Sequence, residues 1–302
     1  MDVEPSYRRA LEVSLSAAGV AGASITSCAG LSGGCINDAL RIELGNGQRY
    51  FVKSSRDAAP DLFEAEAAGL RALRDTNTIR VPQVVAVGVD DAAGRRFLIL
   101  ELIETGRPPR DFETLLGHQL AELHRAPVGD RVGFACDNFL GATPQPNPLA
   151  PADQWPQFWA EQRLQPQLDL ARRRQLGGAE LQRMGEQLKS RLESILRDPE
   201  EPPALLHGDL WSGNYLADAI GRPVLIDPAC YWGRREAEFG MLTLFGGLGP
   251  RFYDAYHEAY PLAPGSQRRI AVYRLHHLLN HLNLFGASYL ADCLELMRWL
   301  AG

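Results

Sequence analysis

Apolar and polar positions alternate over residues 38–44 (DALRIEL) and 48–53 (QRYFVK), and Gly45-Asn46-Gly47 between them predicts a hairpin. Residues 5–19 ahead of them predict a short amphipathic helix. Residues 61–75 set Leu62, Ala65, Leu70 and Leu73 near helical spacing and predict another. Residues 81–90 and 95–103 return to strand. From residue 111 the period changes. Residues 111–125 predict a helix with Asp111 at its cap and Leu116, Leu120 and Leu123 on one face. A Pro- and Gly-rich loop covers 126–152. Two more helices are expected over 153–174 and 179–198, the second repeating Leu181, Met184, Leu188, Leu192 and Ile195 in steps of three and four. A short strand at 223–229 follows, and the rest reads mostly as helix. The pattern predicts an α+β chain of two lobes: a small β-rich lobe over 1–104 and a larger, mostly helical one over 105–302. A cleft between two such lobes is a natural ligand site.

The bulk numbers narrow the class. The 302 residues are 45% hydrophobic and 23% charged, ordinary globular values that suit one large domain or two modest ones. A net charge of −6 argues against nucleic acid as a partner, which would call for a basic face. No apolar run approaches the roughly 20 residues of a membrane span. The first 19 residues are acidic and amphipathic, unlike a signal peptide. The five cysteines, Cys28, Cys35, Cys136, Cys230 and Cys293, form no CxxC pair. These features predict a soluble protein of a reducing compartment, the cytoplasm.

Chemistry concentrates in LLHGDLWSGN at 205–214. Phosphoryl transfer needs an oriented hydroxyl, a phosphate cradle, a cation on the phosphates and ligands for Mg²⁺. His207-Gly208-Asp209-Leu210-Trp211-Ser212-Gly213-Asn214 fits the kinase pattern H-x-D-L-x-x-x-N. Asp209 is then the base that orients the attacking hydroxyl, and Asn214 a Mg²⁺ ligand. Asp227, at the end of an apolar strand, supplies the second metal ligand. Turn formation alone also explains Asp, Asn and Gly together, but Asp227 after Val224-Leu225-Ile226 favours the kinase reading. Lys53 ends a strand and can reach the α- and β-phosphates of ATP. Glu66 is the favoured partner for it, with Glu64 as the alternative. Gly33, Gly34, Cys35 and Asn37 lie in a loop that lets backbone amides approach phosphate. Glu101 and Ile103, after the strand at 95–103, are placed to meet adenine through backbone groups.

These residues resemble the fructosamine kinase (ketosamine-3-kinase) family, in the aminoglycoside-phosphotransferase-like branch of the protein-kinase-like fold. The blocks GGCIN, FVK, FEAEAAGL, DNFLGATPQPN, WPQFWAEQRLQPQL, LLHGDLWSGN, IDPACYWGRREAEFGM and LNHLNLFGASY look like its blocks, in its order, over nearly the whole chain. The resemblance implies a bilobal fold and an ATP- and Mg²⁺-dependent kinase. Its acceptor would be the O3 hydroxyl of a ketosamine, a fructosamine or ribulosamine adduct of a free amine or a protein lysine. The unstable 3-phosphate would then eliminate and free the amine, which amounts to deglycation. Kinases for aminoglycosides or choline, and a silent nucleotide-binding pseudokinase, are the rival readings. Gly208 stands where protein kinases have the Arg of H-R-D, Pro228 where they have the Phe of D-F-G, and no A-P-E follows. No switch by loop phosphorylation is expected.

Several residues have two readings. Trp211 and Trp232 could stack on the acceptor sugar or pack the helical lobe. Glu236 and His281 are further acceptor candidates, and Glu238 reads as structural or acceptor-facing. His277 and His281, four apart, suit the lining of an acceptor pocket or helix packing better than a metal site. Asp153 and Arg163 fit capping or surface roles. Cys35 is a small buried residue or a redox-sensitive thiol, so the chain is expected as a monomer or as a dimer linked through Cys35.

Overall fold

The computed structural model describes residues 3–31, 38–197 and 201–302. Gly33, Gly34, Cys35 and Asn37 lie outside the described residues. The chain forms two compact units: residues 1–109 with 216–227, and residues 110–215 with 228–302.

The first unit opens with helix α1 (Pro5–Ala17). Strands β1 (Ile25–Leu31), β2 (Asp38–Leu44) and β3 (Arg49–Ser55) follow, then α2 (Leu62–Asp75), β4 (Val84–Asp90) and β5 (Arg95–Glu101). The five strands make one antiparallel sheet in the order β1-β2-β3-β5-β4. Side chains alternate across a strand, and this alternation sorts the sheet's two faces. Val52 and Ile99, a cross-strand pair, join Tyr7, Leu11 and Leu15 of α1 in one buried cluster. Lys53 and Leu98, the next pair, therefore point to the other face, where α2 lies.

In the second unit the elements are α3 (Phe112–Arg125), four short strands β6 to β9 (Arg131–Val132, Asn138–Leu140, Thr143–Gln145, Ala150–Pro151), and helices α4 (Trp155–Trp159), α5 (Gln165–Arg173), α6 (Gly178–Lys189) and α7 (Leu192–Leu196). Strand β10 (Ala204–Leu206) comes next. The hairpin β11 (Tyr215–Ala217) and β12 (Pro223–Leu225) follows, its residues from 216 on counting with the first unit. Then come β13 (Tyr231–Gly233), α8 (Glu238–Leu242), α9 (Pro250–Ala259), α10 (Ser266–Phe285) and α11 (Leu290–Ala301). Strand β10 pairs antiparallel with β13.

Four expectations are corrected here. The helix over 153–174 is interrupted: a π-helical turn, Ala160–Leu164, separates α4 from α5. That turn carries Arg163 into the interior, where it donates to the carbonyl of Pro146 and to Asn147 Oδ1, both at 2.6 Å, so Arg163 is no surface residue. The helix over 179–198 ends at Lys189, and α7 begins after a turn. Asp111 occupies the cap position of α3, yet its side chain makes no capping hydrogen bond. Among the described residues no helix is long and apolar enough to cross a membrane.

Candidate active site

In the first unit Lys53 is 8% exposed, and its ammonium is held by two carboxylates. Glu66 Oε1 lies at 2.8 Å and Asp227 Oδ1 at 2.6 Å. Of the two candidate glutamates, Glu66 is the partner because it shares the buried face of α2 with Phe63, Ala67, Leu70 and Leu73, whereas Glu64 is exposed. Burial opposes the charge on Lys53, but Glu66 and Asp227 outweigh it and hold the ammonium above its usual range. The same burial pushes the Glu66 carboxyl up while Lys53 pulls it back. Lys53 thus stays protonated at any ordinary pH.

Asp227 reaches Lys53 because its own segment is stitched into the first unit. Leu225 N–H donates to the Arg80 carbonyl at 2.9 Å, and Gly106 N–H to the Ala217 carbonyl at 3.0 Å. At the turn between β11 and β12, Asp218 is buried and accepts from the Arg222 and Ile220 amides and from the side chains of Arg222 and Arg80. Burial alone would raise its carboxyl, but these donors hold it down at about 2. Asp227 itself takes φ 57°, a left-handed conformation that Asp tolerates better than most residues. The turn therefore aims one carboxylate, 43% exposed at its side chain, at the Lys53 ammonium.

Glu101 is occupied by the same frame. Its carboxylate accepts from Arg80 at 2.6 Å and from the Gln83 amide at 3.1 Å, and its own N–H donates to the Gln83 carbonyl at 2.8 Å. Ile103, two residues on, is half-buried.

In the second unit the 207–214 loop is held from beneath by one acid. Glu238, at the start of α8 and 1% exposed, accepts the His207 amide at 2.6 Å and the Gly208 amide at 3.0 Å. Burial would push its carboxyl up; His124, His207 and the loop amides outweigh that and keep it below its usual range. The His124 imidazole lies 3.6 Å from Glu238, and burial lowers it from its ordinary value against the pull of that acid. Asp209 N–H donates to His207 Nδ1 at 3.3 Å. The Asn214 amide nitrogen donates to the Asp209 carbonyl at 2.7 Å and to Asp209 Oδ2 at 3.2 Å. The donor side of Asn214 is thereby spent on Asp209, so a cation would meet Asn214 through Oδ1.

Gly208 explains its own identity. It has φ 82°, and a Cβ there would lie 2.1 Å from the Ala229 carbonyl oxygen. The position admits no side chain, so the missing Arg of H-R-D is a steric matter. Close by, the Ala229 amide donates to the His207 carbonyl at 2.8 Å. The Asn138 side chain holds the Cys230 carbonyl at 2.6 Å, and Gln145 donates to Asn138 at 2.9 Å. Asn138 and Gln145 are thus braces for the Ala229–Cys230 segment next to the loop. Of the two readings of Glu238, the structural one describes it here, while sequence reading missed Asn138 and Gln145 in this role.

The acceptor candidates separate. Glu236 is corrected: it is 4% exposed and bound by Arg269 through two contacts of 2.6 and 2.8 Å, so its carboxylate serves an internal ion pair. Trp232 lies in β13 with its ring edge-on to Phe134 at 5.3 Å. His277 is buried, and burial lowers its imidazole to about 3. Trp211 and His281 are both half-buried and belong to one group of rings. Among the described residues no three His, Cys, Asp or Glu converge as a metal cage. Mg²⁺ does not require one, since it is commonly held by one or two carboxylates together with substrate phosphates. The oxygen donors of Asn214 and Asp227 are of the hard type that Mg²⁺ takes.

Comparisons with known proteins agree with one another. The family model described as fructosamine kinase matches residues 9–301. A chloroplastic protein-ribulosamine 3-kinase of Oryza sativa subsp. indica is 42% identical over 274 residues, covering 90% of this chain and 78% of that protein. A solved structure described as a fructosamine-3-kinase from Thermobifida fusca superposes with a TM-score of 0.81 at 38% identity, covering 92% of this chain and 94% of that one. An aminoglycoside phosphotransferase gives a TM-score of 0.62 at 14% identity over 93% and 94% of the two chains, a likeness of fold alone.

Proposed function

The chain belongs to the fructosamine kinase family, and from that membership we propose that it is an ATP- and Mg²⁺-dependent ketosamine 3-kinase. The observation that carries the phosphotransferase reading is the buried Lys53 ammonium held between Glu66 and Asp227. The acceptor class rests on the family.

In this reading Lys53 holds the α- and β-phosphates, and Glu66 keeps its ammonium in place. The Gly33–Asn37 segment would cover the phosphates, and backbone groups near Glu101 and Ile103 would meet adenine. Asn214 Oδ1 and the Asp227 carboxylate are the groups we assign to Mg²⁺, which supplies charge neutralisation on the phosphates when bound. Asp209 accepts the proton of the ketosamine O3 hydroxyl as its oxygen bonds to the γ-phosphorus and the bond to the β-phosphate oxygen breaks. Asn214 orients Asp209 through its donor contacts. The 3-phosphate then leaves as inorganic phosphate by elimination, and water hydrolyses the imine so formed at C1, which frees the amine and leaves the sugar as a 3-deoxy dicarbonyl. Acceptors would be ketosamines on small amines or on protein lysines.

The test is ADP release with Mg-ATP on ribulosamine- and fructosamine-modified lysine, choline and kanamycin in parallel. Turnover is expected on the ketoamines alone. Asp209→Asn is expected to lower kcat by about 10²- to 10⁴-fold. Turnover on choline or kanamycin alone would overturn the acceptor class, and ATP binding without any turnover would overturn the enzymatic reading.

A further inference from the structure

Arg163 is a buried cation that the reaction above does not use. It is 0% exposed and sits in the π-helical turn Ala160–Leu164. Its guanidinium donates to the Pro146 carbonyl and to Asn147 Oδ1, both at 2.6 Å, and to the Gln162 carbonyl at 3.1 Å. The rings of Tyr231 and Phe158 cover it at 4.4 and 5.0 Å. Among the described residues its hydrogen-bond acceptors are therefore neutral. Burial lowers the guanidinium to about 10, which leaves it charged at neutral pH. A buried cation held without an acid is costly, and π-turns inside α-helices are frequent at functional sites. Both features serve one short stretch, residues 145–147.

That stretch leads to the loop of Asp209 through directed bonds. Asn147 ties it down: its N–H donates to Asp137 Oδ1 at 2.7 Å and its side chain to the Cys136 carbonyl at 3.2 Å. Two positions earlier, the Gln145 side-chain nitrogen donates to Asn138 Oδ1 at 2.9 Å and to the Ala229 carbonyl at 3.4 Å. Gln145 thereby occupies the oxygen of Asn138, which turns the Asn138 nitrogen to the Cys230 carbonyl at 2.6 Å. Arg163, Asn147, Gln145 and Asn138 are all buried, so water does not replace a lost partner. Ala229 then meets the loop twice. Its N–H donates to the His207 carbonyl at 2.8 Å, and its own carbonyl oxygen lies where a Cβ on Gly208 would come within 2.1 Å. His207 and Gly208 immediately precede Asp209. Glu238 holds the amides of these two residues, and Ala229 holds the His207 carbonyl.

Resting on the phosphotransferase reading, we propose that Arg163, Gln145 and Asn138 are positioning residues for Asp209. They fix Ala229, and through it the direction from which the Asp209 carboxylate meets the acceptor hydroxyl. They act through the backbone of the loop, so their effect falls on the transfer step and leaves nucleotide binding alone. A misplacement of about 1 Å in such a group costs roughly 10²-fold in rate.

Steady-state kinetics on the whole chain test this, with kcat expressed per nucleotide-binding site counted by titration with Mg-ADP. Gln145→Glu keeps the shape but sets a carboxylate against two oxygens, Asn138 Oδ1 and the Ala229 carbonyl. It is expected to lower kcat per site about 10²-fold and to leave the KM for ATP within about twofold. Asn138→Asp removes the donor to the Cys230 carbonyl and should do the same. The two together should fall no more than about threefold below either alone, because both break one relay. Arg163→Lys keeps the charge but cannot fork between Pro146 and Asn147, and about a tenfold fall in kcat is expected at unchanged KM for ATP. Counting sites removes unfolded molecules from the rate, so a merely structural role would leave kcat per site unchanged in these variants, and that result would overturn the inference. A KM for ATP that rises in step with the fall in kcat would overturn it too, as would effects of Gln145→Glu and Asn138→Asp that multiply. Should those two fail to fold, an unchanged kcat per site in Arg163→Lys overturns it alone. Turnover on choline or kanamycin alone would remove the ketosamine reading, while the same variants on that acceptor still decide this inference. Nucleotide binding with no turnover on any acceptor would remove both.

Discussion

Around Lys53 the side chains are charged and hold one another; around Asp209 a loop is held through its backbone by one buried acid. The first arrangement has two carboxylates for one ammonium. Its geometry depends on charge balance within a buried setting, where removing one partner strands the others. The second arrangement uses Glu238 as a double acceptor for the His207 and Gly208 amides, with the His124 imidazole beside it. Its geometry depends on two directed hydrogen bonds and on the absence of a side chain at residue 208. The difference teaches that a buried cation and a half-buried carboxylate are fixed by different means. Under the proposed function, the group assigned to phosphate is kept ionised by acids, while the group assigned to the proton is left half-buried and the chain beneath it is held through its backbone.

The contrast predicts a graded set of effects. Lys53→Met should be the most damaging, because it leaves Glu66 and Asp227 facing each other without a cation. A loss of about 3–5 kcal/mol of stability is expected in denaturant titration, with a 10²- to 10³-fold fall in kcat. Survival of near-normal stability would show that the trio is not held by charge balance.

Gly208→Ala is next. Adding a left-handed penalty to a Cβ placed against the Ala229 carbonyl should cost about 3 kcal/mol, read by thermal unfolding. It should lower kcat more than it changes the KM for ATP. Glu238→Gln keeps the shape but turns an acceptor into an amide that can accept from only one of the two N–H groups. A loss of about 2–3 kcal/mol is expected, with kcat reduced and nucleotide affinity retained. An equal loss of nucleotide affinity would blur the distinction between the two arrangements.

The smallest effect concerns acid. The Asp218 carboxyl lies at about 2 in the folded chain, against an ordinary value of 3.8. A depressed carboxyl stabilises the fold above its unfolded value, and that contribution is lost as pH falls from about 4 towards 2. Asp218→Asn should remove about 1–2 kcal/mol near neutral pH and flatten the stability curve over that acid window. An unchanged curve would show that the turn does not need the charge.

Much of the site could be read along the chain. The His207–Asn214 spacing and the Lys53 strand end are local patterns, as is the choice of Glu66 over Glu64. Phe63, Ala67 and Leu70 mark the buried face of α2, and Glu66 lies on it. Other roles had no such signal. Glu236 and Glu238 are two residues apart with the same chemistry, yet one serves Arg269 and the other serves the loop. Only the direction of each side chain at the entry to α8 distinguishes them. Arg163 looked like a surface residue because an uninterrupted helix would leave it there; a single π-turn moved it inside.

What the sequence determined by itself was the main strands and helices of the first unit, the two-part α+β architecture and the residue types of a phosphotransferase. These follow from periods of two and three-to-four residues and from short fixed spacings, which are properties of the local chain. Tertiary structure alone decided that residues 216–227 belong with the first unit. It did so through contacts such as that of Arg80 with Asp218, 138 positions apart. It also decided that Asp227 meets Lys53 and that Glu238 holds the loop. Such pairings depend on where distant segments come to rest. Burial then sets the charge state of each group by what surrounds it, and no period along the chain encodes that surrounding.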